Sequence, residues 1–255
     1  NDDKIQSFPK LFWESEFFIA KGLKIDLIEW TLDYHDIMRN PLICNQQRVL
    51  DILNLSGVGL QSITYDAAMQ KPLIMNGVRQ NQFCDMLKVI LEKVRSLGIK
   101  ILVLPLVDNS SLKCKDYDAY VKILSELSES HLDEDLSIAI ESDFSPNSLC
   151  DFINDINSSS IGVNYDTGNS THLGYDFEIE MQYLRSKIIN IHLKDRLFKG
   201  TTVPLGKGDT PLFKQLKYFK RYMPDINIII QAARCLVGND VGKANEYLKF
   251  IRKIT

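Results

Sequence analysis

Four residues could do chemistry together: Glu141, Asp166, His192 and Gln231. Two carboxylates, an imidazole and an amide oxygen make a ligand set for a divalent metal. An oxygen-rich set with one nitrogen suits Mn²⁺, Mg²⁺ or Co²⁺ better than a closed structural Zn²⁺ site, although Zn²⁺ is also allowed. A single inward His or Glu is more often a paired structural group. Four in phase at segment ends point to a site.

Each of the four lies in a segment that reads as a β-strand. In Ile188–Arg196 the alternation puts Ile189, Ile191 and Leu193 on one face and Asn190, His192 and Lys194 on the other. In Ser137–Asp143, Glu141 shares a face with Ala139 and Asp143, opposite Ile138 and Ile140. In Ile161–Asp166, Asp166 shares a face with Gly162 and Asn164. In Ile226–Ala233, Gln231 shares a face with Ile229 and Ala233. Three further strands are expected at Leu27–Thr31, Leu60–Tyr65 and Ile101–Val107. The last is nearly all apolar, as a parallel strand covered on both faces should be.

Helical patterns lie between the strands: Phe12–Ala20 with a stop at Gly22, Gln46–Leu55 ended by Gly57, and a stripe from Phe83 to Leu97 capped at Gly98. Others run from Tyr117 to Leu127, from Ser145-Pro146, from Glu178 to Leu184, from Thr210-Pro211, and from Val241 to Ile251. The alternation predicts βαβ units, a parallel sheet and an α/β fold, with residues 1–255 as a single domain. About seven strands are visible, one short of a (β/α)8 TIM barrel, and the first strand is expected upstream of Asn1. Strand C-termini of such a barrel share one rim, so the four residues would converge there.

With 30 Lys and Arg against 33 Asp and Glu, the net charge of −3 argues against a nucleic-acid partner, which needs a basic footprint. Five scattered cysteines without a CxxC pair suit free thiols in a reducing cytoplasm. No apolar run reaches membrane-spanning length.

Several short motifs follow one another along the whole chain. They are Ile-Glu-Trp at 28–30, Ile-Glu-Ser-Asp around Glu141, Tyr-Asp-Thr-Gly-Asn at 165–169, His-Leu-Lys-Asp-Arg at 192–196, Leu-Gly-Lys-Gly at 205–208 and Gln-Ala-Ala-Arg at 231–234. As a set they resemble the sugar phosphate isomerase/epimerase family, the xylose isomerase-like TIM barrels. The resemblance implies a divalent metal held by Glu141, Asp166, His192 and position 231. It also implies a Lewis-acid role for that metal in stabilising an enediolate, and glutamates that move the proton as general bases and acids. The implied partner is a small sugar or sugar phosphate, with no nucleic acid and no membrane; a homo-oligomer is among the states it allows.

The chain departs from the family pattern at Gln231, which can offer an amide oxygen but cannot take a proton. Glu141 is then the one catalytic glutamate. A one-base 1,2-isomerisation stays open, whereas epimerisation between two opposed bases loses one of them. Asn169 stands where some members carry the histidine of a D-x-x-H motif. The same fold also leaves open a keto-inositol-type dehydratase, which needs one base, and a degenerate barrel that binds sugar without turnover. A DNA-repair endonuclease with a His-rich zinc cluster is disfavoured by four histidines and the negative charge.

Around the metal set, Lys194, Arg196 and Arg234 are candidate contacts to a substrate phosphate or hydroxyl, and equally candidate rim charges. Asp195 would orient Lys194 or touch substrate, Glu29 would meet a sugar hydroxyl or a structural partner, and Asn169 would line the site. His172 follows in the same loop, while His35 and His131 read as surface groups. Gly206 and Gly208 could bring backbone N–H groups to a phosphate, or simply form a turn.

Overall fold

The computed structural model describes residues 8–112, 116–232 and 238–254. Among these, seven strands form one parallel sheet: β1 Leu27–Thr31, β2 Gly59–Thr64, β3 Ile101–Leu106, β4 Ser137–Ser142, β5 Ile161–Asp166, β6 Ile188–Leu193 and β7 Ile228–Ile230. Each strand lies beside its predecessor in the chain. That order follows from helices long enough to cross back over the sheet between parallel neighbours. The long helices are α1 Trp13–Leu23, α2 Gln46–Ser56, α3 Asn81–Ser96, α4 Tyr117–His131, α5 Pro146–Ile156, α6 Thr167–Leu173, α7 Phe177–Leu184, α8 Leu212–Tyr222 and α9 Asp240–Arg252. Among the described residues no helix is long and apolar enough to cross a membrane.

Contacts gather into two compact units. The first comprises Asn1–Phe144 with Ser148–Val163, the second Ser145–Asn147 with Asn164–Thr255. In the first, β3 pairs with β4 through the whole run Ile101↔Ser137 to Leu106↔Ser142. Leu102, Val103, Leu104 and Leu106 are completely buried, each side chain contributing about 2 kcal/mol from water exclusion. Trp30 of β1 stacks on Phe8 with centroids 4.9 Å apart, and its indole N–H donates to Asn40 Oδ1 at 3.1 Å. In the second unit, Tyr165, Phe177 and Phe219 pack edge-on or tilted behind β5. A further cluster joins Leu193, Leu205, Leu212, Leu216 and Tyr247.

Several boundaries differ from the sequence reading for physical reasons. Helix α1 runs through Gly22 and stops at Lys24, whose left-handed φ of 58° turns its own N–H back to the Lys21 carbonyl and the Ile25 N–H back to the Ala20 carbonyl. Pro211 is the residue before α8 and not its first helical residue. Strand β7 spans Ile228–Ile230 only, shorter than 226–233; Ala233 and Arg234 lie outside the described residues. Helix α6, directly after Asp166, was not anticipated.

Candidate metal centre

In the second unit, Asp166 ends β5 and caps α6. Its Oδ1 accepts from the N–H groups of Gly168 at 2.9 Å and Asn169 at 2.8 Å. Two of the helix's unsatisfied donors are met this way, and they orient the carboxylate. The other oxygen, Oδ2, lies 2.7 Å from the Lys194 ammonium. This is a contact of charges rather than an aligned hydrogen bond.

Lys194 is held at its backbone. Thr167 Oγ1 donates to the Lys194 carbonyl at 2.7 Å and accepts from the Lys194 N–H at 2.9 Å. Gly168 makes room for the side chain, because a Cβ there would stand 2.9 Å from Lys194 Cβ and Cγ. The turn Asp166-Thr167-Gly168 therefore sets both members of the ion pair.

Asn190 and His192 on β6 and Lys194 directly after it continue the alternation, and all three are buried. Asn190 donates to Asn164 Oδ1 at 2.9 Å. His192 is fully buried, and one of its ring nitrogens lies within 4.8 Å of an Asp166 oxygen. Neighbouring β7 is in register with β6 at Ile229↔His192 and Ile230↔Leu193, and the Gln231 N–H continues the ladder to the Leu193 carbonyl at 3.0 Å. Gln231 thus follows on the His192 face, one step along and level with Lys194.

The donor set suits a divalent ion. A carboxylate has about four lone-pair sites; Asp166 commits Oδ1 to two N–H groups and presents Oδ2 to positive charge. His192 adds a nitrogen, a ligand type that several first-row divalent ions accept. In the first unit, Glu141 lies near the C-terminal end of β4 and is buried, with 8% exposure.

Asp195 is held by backbone donors. It was expected to orient Lys194 or touch substrate, yet it is fully buried and holds a loop. Its Oδ2 accepts from the N–H groups of Gly206, Lys207 and Gly208 at 2.8, 3.0 and 2.9 Å, and its Oδ1 from Thr210 at 3.2 Å. The amides considered for a phosphate are thus bound to an internal anion. Gly208 is required there, since a Cβ would lie 2.2 Å from Asp195 Oδ1 and 2.7 Å from the Arg196 carbonyl.

Arg196 donates to Asn169 Oδ1 at 2.8 Å and to the Gly200 carbonyl at 2.9 Å, and His172 Nδ1 lies 3.0 Å from that same carbonyl. Arg196 and Asn169 therefore grip each other. In the first unit, Ser62 donates to Glu29 Oε2 at 2.7 Å, the structural partner considered above.

The sequence reading missed Thr167 and Gly168, which reveal their roles only when the β5–α6 turn is seen. It also missed Glu180, 3% exposed, whose Oε2 accepts from Tyr165 and Ser170 hydroxyls, each at 2.6 Å. Burial pushes the Glu180 carboxyl above its ordinary value, with the two hydroxyls pulling the other way; burial also pushes the Tyr165 hydroxyl well up. No signal marked Glu180 beforehand, because one Glu in a short amphipathic helix reads as a solvated charge. A separate cavity of about 660 Å³ between α7 and α8, lined by Met181, Arg185, Lys217 and Tyr218 among others, contains none of the strand-end residues.

The family model for xylose isomerase-like TIM barrels matches residues 24–254. No protein of curated function matches the sequence. Among solved structures, a xylose isomerase domain protein from Planctomyces limnophilus superposes with a TM-score of 0.73 at 18% identity, covering 92% of this chain and 90% of that one. The D-psicose 3-epimerase from Clostridium cellulolyticum H10 gives 0.76 at 12%, covering 95% and 93%. The IolI protein, solved with a bound zinc atom, gives 0.71 at 20%, covering 97% and 91%. At these identities the likeness is one of fold.

Proposed function

The chain belongs to the xylose isomerase-like TIM-barrel family, and on that premise we propose that it is a divalent-metal-dependent isomerase or epimerase of a sugar or sugar phosphate. The observation that carries the reading is the buried Asp166–His192 pair, a carboxylate and an imidazole with ligand atoms within 4.8 Å at the ends of successive strands. Burial of two ionisable groups without a function is costly. In this reading Glu141, Asp166 and His192 hold the ion, and the Gln231 amide oxygen takes the fourth position. The ion, when bound, supplies Lewis-acid stabilisation of the negative charge that develops on the sugar oxygens.

The chain's own residues do the rest. Glu141 removes the proton from the hydroxyl-bearing carbon beside the carbonyl and returns it to the carbonyl carbon, the work of a single general base and acid, while the proton of that hydroxyl passes to the former carbonyl oxygen, so that carbonyl and hydroxyl exchange places. Gln231 has no proton affinity to match a second glutamate, which favours 1,2-isomerisation over epimerisation between opposed bases. Lys194 and Arg196, the latter steadying Asn169, contact the substrate's hydroxyl or phosphate oxygens.

Metal analysis of the purified protein, together with an aldose–ketose panel followed by NMR in D₂O, tests the reading. Bound Mn²⁺, Co²⁺, Mg²⁺ or Zn²⁺, with turnover and deuterium incorporation abolished by Glu141→Gln, supports it. No divalent ion under any condition and no turnover of any sugar would sink it. Gln231 also motivates a second reading, a barrel that binds sugar without turnover: activity appearing only in Gln231→Glu would favour that one.

A further inference from the structure

The ion pair between Lys194 and Asp166 is placed with unusual completeness. Both side chains are buried, at 9% and 1% exposure, and the charged atoms are 2.7 Å apart. Thr167 clamps the Lys194 backbone from both sides, and Gly168 gives way to its stem. The Asp166 carboxylate is turned by Gly168 and Asn169 so that Oδ2 meets the ammonium. One short turn thus fixes the cation and the anion together, and the anion is a proposed metal ligand.

We propose that Lys194 is the internal counter-cation of Asp166, holding the carboxylate aimed before a divalent ion arrives, and that it opposes the ion's binding. The opposition follows from geometry. A divalent ion sits about 2.0–2.6 Å from a carboxylate oxygen. With the ammonium 2.7 Å from Oδ2, an ion on that oxygen would be no more than about 5 Å from it. Two positive charges so close in a buried site repel strongly. The ammonium must swing off Oδ2 or the ion binds less tightly. Removing the ammonium by itself therefore has two opposite effects: the metal-free protein loses a partner for a buried anion, and the ion loses a rival. The second effect rests on the metal reading above; the first does not.

The test uses the full chain in four forms: wild type, Lys194→Met, Asp166→Asn and the double variant. Methionine keeps much of the stem and deletes the charge. In EDTA, Lys194→Met should melt about 6 °C or more below wild type, because breaking a buried pair strands a charge. In the Asp166→Asn background the same change should no longer lower the melt and should raise it by several degrees, because it removes a stranded ammonium. Mn²⁺ titrated calorimetrically should bind Lys194→Met about tenfold or more tighter than wild type. A residue that merely packs would not raise metal affinity when truncated.

If Lys194→Met melts with wild type in EDTA, the counter-cation role is wrong. If it is destabilised but binds Mn²⁺ no more tightly than wild type, the opposition is overturned while the metal reading survives. If neither protein binds any ion and the double variant still rescues the melt, the metal reading fails and the counter-cation stands. Should Lys194→Met fail to fold, the double variant decides: folding restored by Asp166→Asn supports the pairing, and failure of both overturns it.

Discussion

Asp166 and Asp195 are buried carboxylates in the same unit, 5% and 0% exposed, and they are treated in opposite ways. Asp195 is enclosed by four backbone N–H groups, three on one oxygen. Asp166 receives two N–H groups on one oxygen and shows the other to an ammonium that is not aligned as a hydrogen-bond donor. A carboxylate whose lone pairs are filled by the main chain is a structural anion. One held on one side and turned to positive charge on the other is able to exchange partners. Burial alone does not separate the two; the count and type of donors does.

The largest effect that would break this contrast is at Asp195. Asp195→Ala leaves four N–H groups without their acceptor, and the expected loss is about 4 kcal/mol or more in urea unfolding. Asp166→Asn keeps an acceptor for the two capping N–H groups but strands the buried Lys194 ammonium, so it should cost about 3 kcal/mol, recovered when Lys194→Met is added, and abolish Mn²⁺ binding in calorimetry. A loss in Asp166→Asn that Lys194→Met does not recover would erase the distinction.

The glycines sharpen it next. Gly208→Ala drives a methyl into the Asp195 carboxylate and the Arg196 carbonyl, neither of which can move freely, so about 3 kcal/mol is expected. Gly168→Ala meets Lys194 Cβ and Cγ at 2.9 Å and Arg196 Cγ at 3.0 Å; the Cβ is fixed to a backbone clamped by Thr167, so about 2 kcal/mol is expected. Unlike Gly208→Ala, it should also change Mn²⁺ affinity. If Gly168→Ala leaves Mn²⁺ affinity unchanged, the turn does not set the position of the Lys194 ammonium.

Much of the scaffold was legible before any coordinates. Strand β5 begins and ends at Ile161 and Asp166 as its alternation indicated, and Gly57 and Gly98 end their helices with φ of 70° and 72°. Periodicity works there because one physical cause, burial of one face, dominates the choice of residue. The face carrying Asn190, His192 and Lys194 was legible for the same reason. What escaped was the polar pairing. Which N–H reaches the Asp195 carboxylate depends on how the chain from Gly206 to Thr210 folds back, and alternation carries no information about that. The one-turn approach of Thr167 to Lys194, 27 residues apart in sequence, is equally invisible to local pattern. A site's residues are easier to read from sequence than their partners.

Glu180 supplies a third kind of buried carboxyl, and the smallest expected effect. It has neither a nest of N–H groups nor an ammonium among the partners described, only the hydroxyls of Tyr165 and Ser170. Burial outweighs these two donors and raises its pKa above the usual 4.5. The folded protein therefore keeps this proton to higher pH than the unfolded chain does. Its contribution to stability is full below about pH 4.5 and is lost as pH rises through the folded-state value. Glu180→Gln cannot titrate, so its stability relative to wild type should climb from pH 4.5 to 8, by about 1 kcal/mol for each unit of the raised pKa. Urea midpoints of both proteins in EDTA across that range measure the difference directly. A difference that stays flat, or falls with pH, would mean that the two hydroxyls hold Glu180 as an anion, making it a second Asp195 rather than a carboxyl of its own kind.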